Sequence, residues 1–466
     1  MKQMKTMVSA VALATVASAM AAPAPYADGA RVTIFGDSLT HHAYYTTPIQ
    51  AFYYTRYPDR DVRIWDCGIG GASTPEAKYA LEIDVKAKRP TEIVFQFGQN
   101  DSCAYGCRTN ATPDLVAGKD RALGKFMKNT QDLRDLVRRE IPAATLAWSS
   151  VLPHDGDLHF KDKPFVPCVG LEEHEARFAE FMRGFCETNG DRFVNYYYDA
   201  LAYNKKLKVV KDDYTSLFPD WTHPHEAGGV FMARLFLKAQ GAHPDVSDIA
   251  LDAAGASVVR AANAEVRELT RTADGGLAFV AEEKALPFPV HEKAREVADD
   301  IGFDDELNRE LLTVGGLAAG DWTLKIDGQA ALTRTADEWA KGVNLATCAE
   351  TPMMAQARKV LELVQKRAEK EKDVRKMFVI RMVAFRILII DRNYKLDYKD
   401  FADERIPMAF ECGYVRKREL PSYDWDKYYV ENWKNREKFE TEIENLHLAI
   451  RKINKPVAHR FELVRP

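Results

Sequence analysis

Cysteine is sparse in this chain, with seven in 466 residues, and no two stand as Cys-x-x-Cys. That absence argues against a zinc-ribbon or zinc-finger class, so no metal or cofactor is expected. An excess of charge of one sign is also missing. Lys and Arg number 65 against 69 Asp and Glu, for a net charge of -4, so no basic face suited to nucleic acid is expected. Long hydrophobic runs are lacking too. The stretch from Met7 to Ala19 is too short to span a bilayer, and that from Phe378 to Ile390 is broken by Arg381 and Arg386. There is no internal repeat and no low-complexity tract.

What is present reads as a globular protein of two or three domains, with 46% hydrophobic and 29% charged residues. The first residues differ in kind. Lys2 and Lys5 precede the small, apolar stretch Met7 to Ala19, and Ala19-Met20-Ala21 closes it. Positive, apolar and small in that order describe a secretory signal peptide over 1–21, so a secreted or periplasmic location is expected. With an odd number of cysteines, one stays free or pairs between chains. Cys103 with Cys107, and Cys168 with Cys186, are possible bridges whose connectivity the sequence leaves open.

Five apolar runs follow, at Val32–Phe35, Val62–Trp65, Glu92–Phe97, Thr145–Leu152 and Arg192–Tyr196, separated by longer stretches such as the helical pattern from Lys119 to Glu140. Strands alternating with helices predict an α/β domain over 22–242, with a parallel sheet covered on both faces. Turn signals at Asp274-Gly275-Gly276, Gly315-Gly316 and Asp327-Gly328 predict a small antiparallel, β-sandwich-like domain over 243–333. Residues 334–466 read as a helical C-terminal region.

Four short motifs fall after strands or in the closing loop of the α/β region. Gly36-Asp37-Ser38-Leu39 follows the first strand, where a helix N-terminus would set free N–H groups and positive dipole beside the serine. Gly68-Ile69-Gly70-Gly71 follows the second strand and Gly98-Gln99-Asn100-Asp101 the third. A glycine N–H and an asparagine amide are the donors a developing oxyanion needs. Asp220-Trp221-Thr222-His223 lies near the end. A serine hydroxyl needs a neutral imidazole as base, and the imidazole needs a carboxylate to set its tautomer. Each motif alone is ordinary turn chemistry; their order and placement are not.

In that order they resemble the SGNH (GDSL-type) hydrolase superfamily. The resemblance covers about Arg31 to Gly241 and implies a flavodoxin-like three-layer α/β/α domain. It also implies a triad of Ser38, His223 and Asp220, and an oxyanion hole from Ser38 N–H, Gly71 N–H and Asn100. Asp66 departs from the pattern, because relatives often carry asparagine there, and it leaves Gly70 as an alternative donor. The rest of the chain resembles larger secreted bacterial relatives in which a sandwich is followed by a segment like Gly342-Val343-Asn344-Leu345-Ala346 and a helical tail.

The implied activity is carboxylic ester hydrolysis. Export and the appended sandwich favour O-acetyl groups on a carbohydrate, against a lipid ester or a non-catalytic glycan-binding role. A metallophosphoesterase reading of His223 and His225 with Asp37, Asn100 and Asp101 fails for want of an early Asp-x-His pair. His41 and His42 follow the serine closely and are candidates to line the pocket, with an exposed helix face the favoured expectation. Tyr105, Phe160 and Phe165 are candidate pocket walls. The expected partner is a small ester or acetylated glycan, with no membrane span after leader removal.

Overall fold

The computed structural model describes residues 23–102, 113–154, 170–210, 217–219, 222–386 and 425–466. The leader at 1–21, Cys103, Cys107, Cys168, the three candidate wall aromatics and Asp220 lie outside the described residues.

Five runs become strands β1 (Arg31–Gly36), β2 (Arg63–Gly68), β3 (Glu92–Gln96), β4 (Thr145–Ser149) and β5 (Arg192–Val194). They pair in parallel in the order β2-β1-β3-β4-β5. Side chains alternate along a strand, so a run buried at every position must feed two cores. Val32, Ile34, Val94 and Ala147 enter one. Phe35, Ile93, Phe95 and Trp148 enter the other.

Around the sheet run α1 (Ser38–His41), α2 (Thr46–Arg56), α3 (Thr74–Ala80), α4 (Pro113–Glu140), α5 (Leu171–Asn189), α6 (Tyr197–Val210) and α7 (Glu226–Ala239). α2, α6 and α7 close the first core through Phe52, Tyr203 and Phe231. α3, α4 and α5 close the second through Tyr79, Phe126 and Phe178. This is the three-layer α/β/α fold. β1 has β2 on one side and β3 on the other, so the strand order reverses there. Chains leaving β1 and β3 diverge to opposite faces and open a crevice at the strands' carboxyl ends.

The second half contains β6 (Asp245–Asp252), β7 (Ser257–Ala262), β8 (Ala264–Arg271), β9 (Leu277–Glu283), α8 (Arg295–Asp300), α9 (Phe303–Leu307), β10 (Arg309–Gly315), β11 (Asp321–Ile326), β12 (Gln329–Thr335), α10 (Ala336–Lys341), β13 (Val343–Asn344), α11 (Pro352–Phe385) and β14 (His459–Val464). Two sheets form, β13-β10-β6-β7 and β12-β11-β14-β9-β8. They differ from the expectation in two respects. β6 and β10 pair in parallel, so the sandwich is not wholly antiparallel. β14 comes from the region expected to be helical and inserts between β9 and β11. Its only apolar alternation is Phe461 and Leu463, too short a pattern to read alone. Asn344 ties the segment 342–346 in place: its Oδ1 accepts from Glu310 N at 2.9 Å and its Nδ2 donates to Asn308 O at 3.1 Å.

α11 spans both cores. Met353, Val360 and Val364 pack in the first, and Val374, Phe378 and Phe385 in the second. It also covers the open edge of β2, where Arg367 donates to Ile64 O at 2.9 Å. An uncovered edge would invite pairing with another chain. Among the described residues no helix is long and apolar enough to cross a membrane. Cys186 is buried in the second core and is free among the described residues; its candidate partner Cys168 lies outside them.

Candidate active site

Ser38 stands at the reversal point. Asp37 prolongs the β1–β3 ladder through its N–H to Gln96 O at 3.2 Å. Its Oδ1 then caps α1 by accepting from Leu39 N at 3.0 Å. α1 is a single turn of four residues, so the helix dipole expected beside the serine is small. Turn geometry, held by Asp37, presents the hydroxyl. Burial pushes the Asp37 carboxyl well above the usual carboxylate range; the Leu39 N–H offsets part of this and nearby Asp101 adds to it.

His223 brings Nε2 to 2.9 Å from Ser38 Oγ. For the serine to donate, Nε2 must be the unprotonated nitrogen, which is the state a general base needs. The His42 ring meets the His223 ring edge-on, with centroids 4.7 Å apart. Asp220 falls outside the described residues, so the third member of the expected triad has no described position.

The loops after β2 and β3 flank this pair. Gly71 has φ of +77°, a conformation cheap only for glycine. At Gly68 a Cβ would lie 2.1 Å from His41 N, so glycine lets α1 pack on the end of β2. Asn100 Nδ2 donates to Ala72 O at 2.8 Å, which orients the amide while the same nitrogen carries a second N–H. Asp101 accepts from Thr74 N at 3.1 Å and Thr74 Oγ1 at 2.5 Å, joining the two loops. Burial, partly offset by those two bonds, pushes its carboxyl up to about 6. Asp66 accepts from Gly68 N at 2.8 Å and Thr46 Oγ1 at 2.9 Å. Burial first, and then Glu371, push it up to about 7.

Several supporting residues escaped the sequence reading. Gln99 exchanges hydrogen bonds with the Leu152 backbone, at 3.1 and 3.0 Å, like an extra rung between the ends of β3 and β4. Thr46, Thr74 and Glu76 are likewise invisible as site residues, because side-chain-to-loop bonds leave no periodic mark in sequence. His41 corrects an expectation. It is buried rather than exposed, and burial, with His42 and Arg375 adding, lowers it to about 3. His225 stacks on Tyr44 at 5.2 Å. Among the described residues no group of three His, Cys, Asp or Glu is placed to hold a metal ion.

Behind His42 lies a pocket of about 150 Å³, walled by α1–α2, the segment after β9, and α11. Its lining mixes Pro48, Phe288 and Leu361 with Tyr44, His291 and Lys372.

A doubly wound α/β domain with a hydroxyl and an imidazole paired at its reversal point has the arrangement that a serine hydrolase needs. Residues 34–229 match the model of the GDSL-like lipase/acylhydrolase family. Among solved structures, a gut microbial diltiazem-metabolizing enzyme is 26% identical with a TM-score of 0.83, covering 95% of this chain and 99% of that one. An acetylxylan esterase from Geobacillus stearothermophilus is 21% identical with a TM-score of 0.36, covering 46% of this chain and 96% of that one. Among curated proteins no sequence matches. The chain is a carboxylic ester hydrolase, and its residues 34–229 form a domain of the SGNH (GDSL-type) hydrolase superfamily.

Proposed function

We propose that this chain is an exported serine esterase that removes small acyl groups, O-acetyl groups on a carbohydrate foremost, through Ser38, His223 and Asp220. The observation that carries the reading is the 2.9 Å approach of His223 Nε2 to Ser38 Oγ. His223 takes the serine proton as Oγ attacks the ester carbonyl, while Asp220 holds the other ring nitrogen. The oxyanion forms against the Ser38 N–H, the Gly71 N–H and the Asn100 amide. The imidazolium returns its proton to the leaving alcohol. Water, deprotonated by His223, then releases the acid from Ser38.

Export rests on the leader at 1–21. The polar share of the pocket lining supports a hydroxyl-rich alcohol, since a fatty chain would want a continuous apolar groove. The diltiazem-metabolizing neighbour supports a small-molecule ester over a lipid surface.

The test compares p-nitrophenyl acetate and octanoate hydrolysis by wild type and Ser38→Ala. Activity strong on acetate and lost in the variant is expected. Preference for octanoate would move the substrate to lipid esters, and equal rates in the two proteins would remove Ser38 as nucleophile.

A further inference from the structure

We infer that Arg386, at the end of α11, is a positioning residue that presets the oxyanion loop after β2. The inference rests on the reading of Gly71 and Asn100 as oxyanion donors and adds a residue from outside the hydrolase domain.

Arg386 Nη2 donates to Gly71 O at 2.7 Å, and its Nε donates to Glu76 Oε1 at 2.6 Å. Glu76 is buried, and its other oxygen accepts from Ser73 N at 3.0 Å and from Ser73 Oγ. Asn100 holds the residue between, through Ala72 O at 2.8 Å. Three successive residues, Gly71, Ala72 and Ser73, are thus each tied by a different side chain.

The physical need is clear from the loop's composition. Gly70 and Gly71 have no Cβ to restrict them, and Gly71 sits at φ of +77°. Such a backbone does not set the direction of its own N–H, yet an oxyanion donor works only if its dipole is aimed before reaction. A guanidinium spans two acceptors in a fixed planar fork, which a lysine ammonium does not. Arg386 is itself well anchored. The preceding Phe385 stacks on Tyr79 of α3 with centroids 4.3 Å apart, and Arg381 Nη2 donates to the Tyr79 hydroxyl at 3.0 Å. The end of α11 is therefore clamped to α3, the helix that the loop enters.

The test measures kcat and KM on p-nitrophenyl acetate for full-length Arg386→Lys, Arg386→Ala and Asn100→Ala. Active-site titration counts the folded enzyme. Arg386→Lys is expected to lower kcat about tenfold with KM little changed, and Arg386→Ala somewhat more, the pattern of a lost transition-state interaction. Affinity for a boronic acid that forms a tetrahedral adduct on Ser38 should fall in parallel, and methylguanidine should restore part of the Arg386→Ala rate. Wild-type kcat per titrated site in both Arg386 variants, beside a loss on the order of 10²-fold in Asn100→Ala, would overturn the role of Arg386 and leave the oxyanion reading standing. Wild-type kcat in Asn100→Ala would overturn the oxyanion reading, and the role of Arg386 with it.

Discussion

At the residue scale the site depends on polar side chains whose partners are backbone groups. Asp66 shows the energetic consequence. Its carboxyl is buried, and it titrates at about 7, whereas an unfolded aspartate titrates near ~3.9. Between those values the folded state binds the proton more tightly. The stability from this group is therefore complete below about pH 4 and is lost as pH rises through about 7. Asparagine, which relatives often carry there, can still accept from Gly68 N–H and carries no charge to bury. Asp66→Asn should therefore raise Tm relative to wild type more at pH 8 than at pH 5. A difference independent of pH, or larger in acid, would refute a strained Asp66 carboxylate. Asp66, Ser38, Gly71 and Asn100 were each visible in the sequence because turn chemistry next to a strand end is local. Gln99, Thr74 and His41 were not, because their environment is made by other elements.

At the element scale, short strands and glycine turns did what their patterns promised, while α11 did more. α11 is rich in charge from Arg358 to Lys376, yet Arg367, Glu371 and Arg375 are buried along it. Arg375 pairs with Asp84, and Arg367 with Glu371 at 3.0 Å. Buried charges of this kind persist only when paired. The Arg367–Glu371 pair has the i,i+4 spacing that a helix pattern shows, whereas the Arg375–Asp84 pair crosses elements and leaves no trace in one. α11 also supplies Leu361 to the pocket behind His42. If that pocket receives the alcohol half of the substrate, Leu361→Trp should raise KM for an acetylated oligosaccharide on the order of tenfold, with p-nitrophenyl acetate unaffected. Equal effects on both esters would separate the pocket from substrate binding.

At the scale of the whole molecule, the C-terminal region is an integral part of the fold. β14 completes the five-stranded sheet between β9 and β11, burying Phe461 and Leu463. Each contributes on the order of 2 kcal/mol by area burial. Two strand edges would be exposed without it. A chain stopped at Lys455 should accordingly lose far more stability than a surface truncation, with a Tm lowered by several degrees or an insoluble product. Wild-type Tm in that truncation would show that the sheet closes without its last strand.

The amino-acid sequence by itself determined the five-stranded α/β domain, the turns that carry Ser38, Gly71 and Asn100, and the superfamily. All of these rest on contacts within a few residues or on strand and helix periods. Tertiary structure alone decided which of those residues meet. Ser38 and His223 are 185 residues apart, and Gly71 and Arg386 are 315 apart. Such contacts depend on how the crevice at β1 opens and how α11 crosses two cores. No local pattern encodes them, because they are set by packing between elements rather than by the preferences of any one element.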